Sequence, residues 1–182
     1  MAKKRYRLVP ELVPLPLWGI SAYRALGRST PWKVIRLDTL EAASHKCQFC
    51  GSDEPRLACH DKWQYDDKKR AARLIGFEIR CPLCHLATHM GRAAALGYAE
   101  EATQQLRKVN GCTNRDVDLM LAAAMSLWAR RSEKKWIVTV APALLKRYPR
   151  LQALPLYAKK LVKDSRGIQN KEPVSVLRLH VT

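Results

Sequence analysis

Two cysteines and two histidines lie within nine residues of the sequence, in the stretch CPLCHLATH at positions 81–89. Thiolate sulfur and imidazole nitrogen are ligands that zinc and related transition metals prefer. Cys81 and Cys84 have the spacing of a tight turn, whereas His85 and His89 are one helical turn apart. We therefore interpret the stretch as two half-sites for different ions, each of which needs partners from elsewhere in the chain.

A second C-x-x-C pair, in CQFCG, supplies partners for the first half-site. Thirty residues separate Cys50 of this pair from Cys81 of the other. Two residues between cysteines let both thiolates reach one ion at about 2.3 Å, and two such pairs close a tetrahedral site. Scattered reduced thiols and a redox-active pair are the alternatives, and the matching second pair argues against both. The pattern predicts a structural zinc site with four ligands: Cys47, Cys50, Cys81 and Cys84.

The elements around these pairs are predicted to be a hairpin followed by helix. Residues 56–63 and 72–80 have strand-like composition and are separated by the polar turn QYDDKKR. The stretch HLATHMGRAAALGYAEEATQQLRKV consists of helix formers, with Gly91 and Gly97 as the expected breaks. If a helix begins at the second C-x-x-C pair, its two histidines point the same way.

This combination resembles the HNH family of nucleases. The family's ββα-metal core has a strand with a catalytic histidine, a second strand and a helix with metal-binding histidines, often with two C-x-x-C pairs around zinc. Residues 81–89 match its C-x-x-C-H-x-x-x-H motif at every specified position, and His60 precedes His85 by twenty-five residues. The stretch Trp63 to Asp67 is similar to a W-x-Y-D-D sequence in HNH-like proteins of bacteriophages and plasmids. The resemblance covers residues 45–95.

The resemblance implies a catalytic site with one divalent ion. His60 would be the general base that deprotonates a water molecule, and His85 and His89 would bind the ion. The ion is expected to be Mg²⁺, Mn²⁺, Ni²⁺ or Zn²⁺, in addition to the structural Zn²⁺. Cys59 and Asp61, which flank the base, are further candidate ligands.

Two positions depart from the family pattern. Cys59 stands where the family usually has a metal-binding Asp or His, and a thiolate suits zinc or nickel better than magnesium. Gly76 stands where an asparagine orients the base histidine in the family. Three acidic residues are candidate replacements for that asparagine: Asp61, Asp66 and Asp67.

The charge of the chain indicates a polyanionic partner. Its 33 Lys and Arg against 16 Asp and Glu give a net charge of +17. The basic residues are spread along the chain, which argues against a membrane partner; a solvated basic surface and an acidic protein partner remain alternatives. We expect nucleic acid, and DNA rather than RNA. The candidate nucleic-acid-binding residues surround the hairpin and the helix: Lys62, Trp63, Lys68, Lys69, Arg70, Arg73 and Arg92.

An α+β fold with a zinc-knuckle ββα core is expected, in four parts. These are a basic, Pro-rich arm (1–30), the HNH-like core (31–110), a helical extension with a short strand (111–150) and a basic tail (151–182). No run of eighteen apolar residues occurs, and no apolar stretch follows the basic start, so we expect a cytoplasmic protein.

Four further elements are predicted outside the motif. Thr30 is the expected N-cap of a helix with Pro31 at its first position. Thr113 and Asp116 form a capping-box pair at the start of a second helix. Residues 136–140 and 174–181 are predicted strands.

Two functions from different classes follow. The first is a metal-dependent HNH-type endonuclease that hydrolyses phosphodiester bonds in DNA. The second is a non-catalytic, zinc-stabilised nucleic-acid-binding protein with a degenerate HNH site, as a subunit of a nucleoprotein or phage assembly. A zinc-stabilised protein that binds another protein is a third, and it predicts no salt-sensitive affinity for nucleic acid.

Overall fold

The computed structural model of the chain describes residues 5–158. Its strands are β1 (Ala58–Asp66), β2 (Ala71–Arg80) and β3 (Ile137–Val140). Its helices are α1 (Ala22–Leu26), α2 (Thr30–Ala42), α3 (Pro82–Thr88), α4 (Met90–Ala95), α5 (Ala99–Asn110), α6 (Asn114–Ser132) and α7 (Pro142–Arg147). Short 3₁₀ helices occupy Leu15–Leu17 and Pro149–Gln152, and residues 153–158 form a further helical turn. The strand predicted at 174–181 lies outside the described residues.

The predicted hairpin is confirmed. β1 and β2 are antiparallel, and their register pairs His60 with Glu78 and Lys62 with Gly76, with an irregularity directly after Lys62. The first strand is longer than predicted, because three residues assigned to the turn, Gln64, Tyr65 and Asp66, continue the pairing. The hairpin therefore forms a two-stranded ribbon that carries His60 near its open end.

A third strand completes a mixed sheet in the order β1-β2-β3. β3 lies where residues 136–140 were predicted to form a strand, and it runs parallel to β2. Helices α3 to α6 form the connection between them, as a parallel crossover requires. Val138 and Val140 point into the core. The fold is a mixed arrangement of helices and one three-stranded sheet, compatible with the expected α+β class.

Two predicted helix starts have different outcomes. The capping box at the start of α6 is confirmed, since Thr113 and Asp116 exchange side-chain and backbone hydrogen bonds. The prediction of Thr30 as N-cap is wrong by one residue. Ser29 is the N-cap of α2, because its carbonyl oxygen already accepts from Lys33 at 3.1 Å, which places Pro31 within the first turn.

The helical region after Cys84 is divided into α3, α4 and α5. The second break lies around Gly97, which has a positive φ of 80°, as expected. The first break is at His89, so the prediction of a break at Gly91 is wrong by two residues. The carbonyl oxygen of Thr88 accepts from the backbone N–H of Glu11 instead of continuing the helix. A contact with the N-terminal arm therefore ends α3.

The core consists of two clusters of buried side chains that draw on distant parts of the sequence. One surrounds the cysteines and includes Leu8 of the arm and Val117 of α6. The other packs Leu17 of the arm and Leu151 near the end of the described chain against β2 and β3. Described residues from all four predicted parts therefore pack in the same two clusters. The division of the chain into these four parts remains a prediction. No helix between residues 5 and 158 has the length and apolar character needed to cross a membrane.

Candidate metal centres

The four cysteine sulfurs converge on one point. All four lie within 4.8 Å of one another, and Cys50 Sγ is 3.6 Å from Cys81 Sγ. Bonds of about 2.3 Å at tetrahedral angles place sulfurs about 3.8 Å apart, so this cluster fits a single ion. The cysteine cluster, defined as Cys47, Cys50, Cys81 and Cys84, could hold a metal ion such as zinc.

Local sequence explains why the two cysteine turns meet. The first turn closes with Gly51 N–H donating to Cys47 O at 2.9 Å, and Gly51 adopts a φ of 78° that favours glycine. The second turn is the start of α3, where Cys81 is the N-cap. Gln48 joins them, because its backbone N–H donates to Ile79 O at 3.0 Å and its Oε1 accepts from Ile79 N–H at 2.8 Å.

Burial shapes the electrostatics of the cysteine cluster. Three of its cysteines are buried and Cys50 is exposed. Burial raises the pKa of Cys81 to about 11 and raises the pKa of Cys84 still further. Burial also acts on Cys47, but hydrogen bonds from nearby backbone N–H groups outweigh it and lower its pKa to about 7. The raised pKa values keep Cys81 and Cys84 protonated at neutral pH when no cation is bound. All four cysteines become thiolates together only around a cation, which deprotonates the thiols that coordinate it.

Three histidines form the second group of convergent ligand atoms. His60 of β1, His85 of α3 and His89 at the end of α3 each place a ring nitrogen within 4.8 Å of the others. The ring centroids are 5.2 Å apart for His60 and His85, 5.0 Å for His60 and His89, and 4.9 Å for the helical pair. We name these three residues the histidine cluster.

The helical histidines are held in the neutral form. Burial lowers the pKa of His85 to about 4 and that of His89 to about 3, with smaller contributions from His60 and from the positive charges of Arg80 and Arg92. Neutral imidazole is the form that binds a metal ion. His85 and His89 are thus in the form that can coordinate a cation near neutral pH.

His60 has an incomplete environment. Its side chain is 7% exposed, and its Nε2 atom is buried with no hydrogen-bond partner among the described residues. The carboxylate of Glu11 lies 3.9 Å from that nitrogen. Sequence reasoning missed Glu11, because the arm residue carries no motif or spacing that connects it to the hairpin.

The two residues that flank His60 face the other side of β1. Asp61 Oδ2 accepts from the backbone N–H of Ala22 at 2.8 Å, and burial raises the pKa of Asp61 to about 6. Cys59 packs against both core clusters, and burial raises its pKa to about 11. Within residues 5–158, neither belongs to a group of convergent ligand atoms.

The acidic residues at the hairpin turn have local partners. Asp66 Oδ1 accepts from the backbone N–H groups of Lys68 and Lys69 at 3.1 and 2.9 Å. Asp67 accepts two hydrogen bonds from Arg131 of α6, at 2.9 and 2.8 Å. Both carboxylates therefore secure the turn and its contact with α6.

Gly76 and Glu78 are the cross-strand neighbours of Lys62 and His60. A Cβ atom at Gly76 would lie 3.9 Å from the Lys62 side chain, an ordinary contact. Glu78 forms ion pairs of 2.7 Å with Lys62 and with Arg80. The buried Arg80 guanidinium also donates to Thr88 Oγ1 and lies 4.7 Å from the centre of the Phe49 ring. This network joins the hairpin, α3 and the cysteine turn.

The predicted nucleic-acid-binding residues are distributed along the hairpin and α4. The six basic ones are exposed: Lys62, Lys68, Lys69, Arg70, Arg73 and Arg92. In the described chain, no ion pair with an acidic residue involves Lys68, Arg70, Arg73 or Arg92. Trp63 is half-buried and lines a small cavity with Tyr65 and three apolar residues of the arm region.

The chain matches no protein-family model, no curated protein and no solved structure.

Proposed function

We propose that the chain is a metal-dependent endonuclease of HNH type that hydrolyses phosphodiester bonds in DNA. The observation that carries the proposal is the convergence of His60, from the first strand of a hairpin, with His85 and His89 from the following helix. This is the order of strand, strand and helix that the ββα-metal core uses. The cysteine cluster at the base of the same helix would be its structural zinc site.

The donor set of the histidine cluster indicates which ions it would hold. His85 and His89 would bind the ion through neutral ring nitrogens, and imidazole suits zinc, nickel and related transition metals better than magnesium. When bound, such an ion supplies positive charge that polarises the phosphodiester and stabilises the leaving oxygen. We therefore expect Ni²⁺, Mn²⁺ or Zn²⁺ to support activity better than Mg²⁺.

His60 would act as the general base. A ring nitrogen of neutral His60 accepts a proton from water as the water oxygen forms its bond to phosphorus. The phosphorus-oxygen bond on the opposite side breaks, its electron pair stays on the leaving oxygen, and a second proton from solvent completes the hydroxyl product. The proximity of His60 to the helical pair supports this role, because the base and the ion must act on one phosphate.

Two exposed cations lie close to the histidine cluster and would hold the substrate. Lys62 is two residues beyond His60 on the same face of β1, about 7 Å along the strand. Arg92 lies close enough to lower the pKa of His85 and His89. The turn residues Lys68, Lys69 and Arg70 are about 20 to 25 Å from His60 along the hairpin, so only a long substrate would reach both regions.

The second candidate function is non-catalytic nucleic-acid binding by a zinc-stabilised protein with a degenerate site, as a subunit of a nucleoprotein or phage assembly. The observation that favours it is the missing side chain at Gly76, where the family has the asparagine that orients the base. Both functions share the fold and the basic surface, and they differ in turnover.

Incubation of the purified protein with supercoiled plasmid DNA and Mg²⁺, Mn²⁺, Ni²⁺ or Zn²⁺ separates the two functions. We expect cleavage by the wild type and a loss of about 100-fold or more in the His60→Ala variant. His45→Asn is the matched control, because His45 is an exposed histidine that pairs with Glu41 and lies outside the cluster. This control should cut like the wild type.

Binding without cutting, with every ion tested, would rule out the nuclease and support the non-catalytic binding function. Binding is measured on the same DNA by a mobility shift at two salt concentrations, since contacts with phosphates weaken steeply as salt rises. Absence of salt-sensitive binding to the DNA would rule out both proposed functions.

A further inference from the structure

We propose that Glu11 is a positioning residue for His60 and accepts a hydrogen bond from its Nε2–H group. This inference rests on the proposed function for the role of His60 at the ion. The contact itself is a property of the chain and can be tested without catalysis.

The arm holds Glu11 in a fixed position beside the histidine cluster. The backbone N–H of Glu11 donates to Thr88 O at 2.8 Å, at the end of the helix that carries His85. On one side, the side-chain amide of Asn110 in α5 accepts a hydrogen bond from Leu8 N–H and donates one to Leu8 O. On the other side, Trp128 of α6 donates to Val13 O at 3.1 Å. Glu11 therefore belongs to a segment anchored at three points.

His60 Nε2 needs a partner. A buried polar group without a hydrogen bond costs about 1 to 3 kcal/mol, so a polar atom without a partner in a native fold indicates an interaction still to be made. The nearest carboxylate oxygen is Glu11 Oε2 at 3.9 Å, about 1 Å longer than a hydrogen bond. The Glu11 side chain has no other hydrogen bond within residues 5–158, so a rotation that brought it to His60 would break no existing bond.

The other candidate acceptors near His60 are already engaged. Glu78, directly opposite on β2, is paired with Lys62 and Arg80. Asp61 faces the other side of the strand and accepts from Ala22. Gly76, in the position of the family's asparagine, has no side chain to offer. Glu11 is therefore the acceptor that the geometry leaves for His60.

The proposed hydrogen bond has a defined chemical consequence. A proton held on Nε2 by a carboxylate fixes the tautomer of the ring and leaves the lone pair on Nδ1. That lone pair would then be the one that accepts a water proton or binds a metal ion. The effect is the same whether His60 acts as the base or as a third ligand.

Long-range ¹H–¹⁵N spectra of the histidine rings test this assignment without added divalent ion. We expect wild-type His60 to show the Nε2–H tautomer and Glu11→Ala to show a mixture of tautomers. Glu11→Gln keeps an acceptor oxygen without the charge and should retain most of the wild-type pattern. Glu101→Ala, which removes an exposed carboxylate on α5, is the control that should change nothing.

Titration of the same four proteins with Ni²⁺ adds a second measurement. Removal of a carboxylate that orients a metal-site histidine typically weakens metal binding by about 10- to 100-fold. We expect that loss for Glu11→Ala, a smaller loss for Glu11→Gln and none for Glu101→Ala.

The two measurements separate the inference from the proposed function. An Nδ1–H tautomer in wild-type His60, or an unchanged tautomer in Glu11→Ala, would overturn the role of Glu11 even if DNA is cut. A failure of the wild type to cut DNA, with the tautomer controlled by Glu11, would overturn the nuclease and leave the role of Glu11 standing.

Discussion

The cysteine cluster and the histidine cluster share α3, yet they differ in number of donors and in what surrounds them. The cysteine cluster has four sulfurs, enough to close a tetrahedral site. The histidine cluster offers three ring nitrogens, two proposed for the ion and one for the base, so the ion would keep positions open for water or substrate. Structural zinc sites are closed and catalytic sites keep an open position, so the same helix would carry one site of each kind.

The two clusters also differ in how the chain builds them. The cysteine cluster joins two short turns that are linked directly by Gln48. The histidine cluster joins a strand and a helix, and the N-terminal arm brings Glu11 against it. We therefore expect loss of the first cluster to unfold the chain, and loss of the second to abolish chemistry while the fold survives.

The largest effect is expected from Cys84→Ser. Cys84 is fully buried, accepts from Gln105 at 3.1 Å and is one of the four ligands proposed for zinc, so serine replaces a sulfur donor with a shorter hydroxyl group. Structural zinc contributes about 10 kcal/mol or more to small folds, and we expect cooperative unfolding to be lost in thermal melts followed by circular dichroism. Cys112→Ser, at a half-buried cysteine outside the cluster, should still melt cooperatively. Equal melts for the two variants would contradict a structural role of the cysteine cluster.

The next effect concerns catalysis. His89→Ala removes one of the two proposed ion ligands, and we expect DNA cleavage to fall by about 100-fold or more, as for loss of a group that acts directly on the reaction. The melting temperature should change by less than about 5 °C, because the backbone bond from Ala93 N–H to His89 O at the start of α4 is kept. Collapse of the fold in this variant would contradict the separation between the two clusters.

A smaller effect, dependent on pH, is expected from Asp61→Asn. The folded pKa of Asp61 is raised to about 6 from 3.8, so the ionised carboxylate is unfavourable above pH 6, and that cost disappears as the pH falls toward 3.8. Asn keeps an acceptor for Ala22 and removes the charge. We expect the variant to be about 1 to 3 kcal/mol more stable than the wild type at pH 7.5 and equally stable near pH 4.

Urea unfolding at the two pH values measures this difference. Ni²⁺ affinity should be unchanged in Asp61→Asn, because Asp61 faces away from the histidine cluster. A large loss of affinity would instead make Asp61 part of the metal site.

The smallest effect is expected from single basic residues near the histidine cluster. Arg92→Ala should weaken DNA binding a few-fold and reduce the slope of log affinity against log salt by about one. Arg115→Ala, at an exposed arginine on α6, is the control. Mobility shifts at several salt concentrations measure both slopes. Equal slopes for the two variants would show that Arg92 is not part of the DNA-binding surface.

The sequence predicts the local parts of these sites well. The two-residue spacing within each cysteine pair itself determines that both sulfurs can reach one ion. The capping box and the hairpin likewise depend on residues that are close together in the sequence. The pairing of β3 with β2 and the break at His89 depend on contacts between distant segments, so no local pattern indicates them. Glu11 is the clearest case, since its place beside His60 results from packing of the arm on α3, α5 and α6.

Anomalous diffraction from crystals soaked in Zn²⁺ tests the central claim most directly. We expect two peaks in each molecule, one among the sulfurs of Cys47, Cys50, Cys81 and Cys84 and one among the rings of His60, His85 and His89. A single peak at the cysteines would contradict an ion-dependent site at the histidines. A map without a peak at the cysteines would contradict the assignment of the cysteine cluster as a closed zinc site.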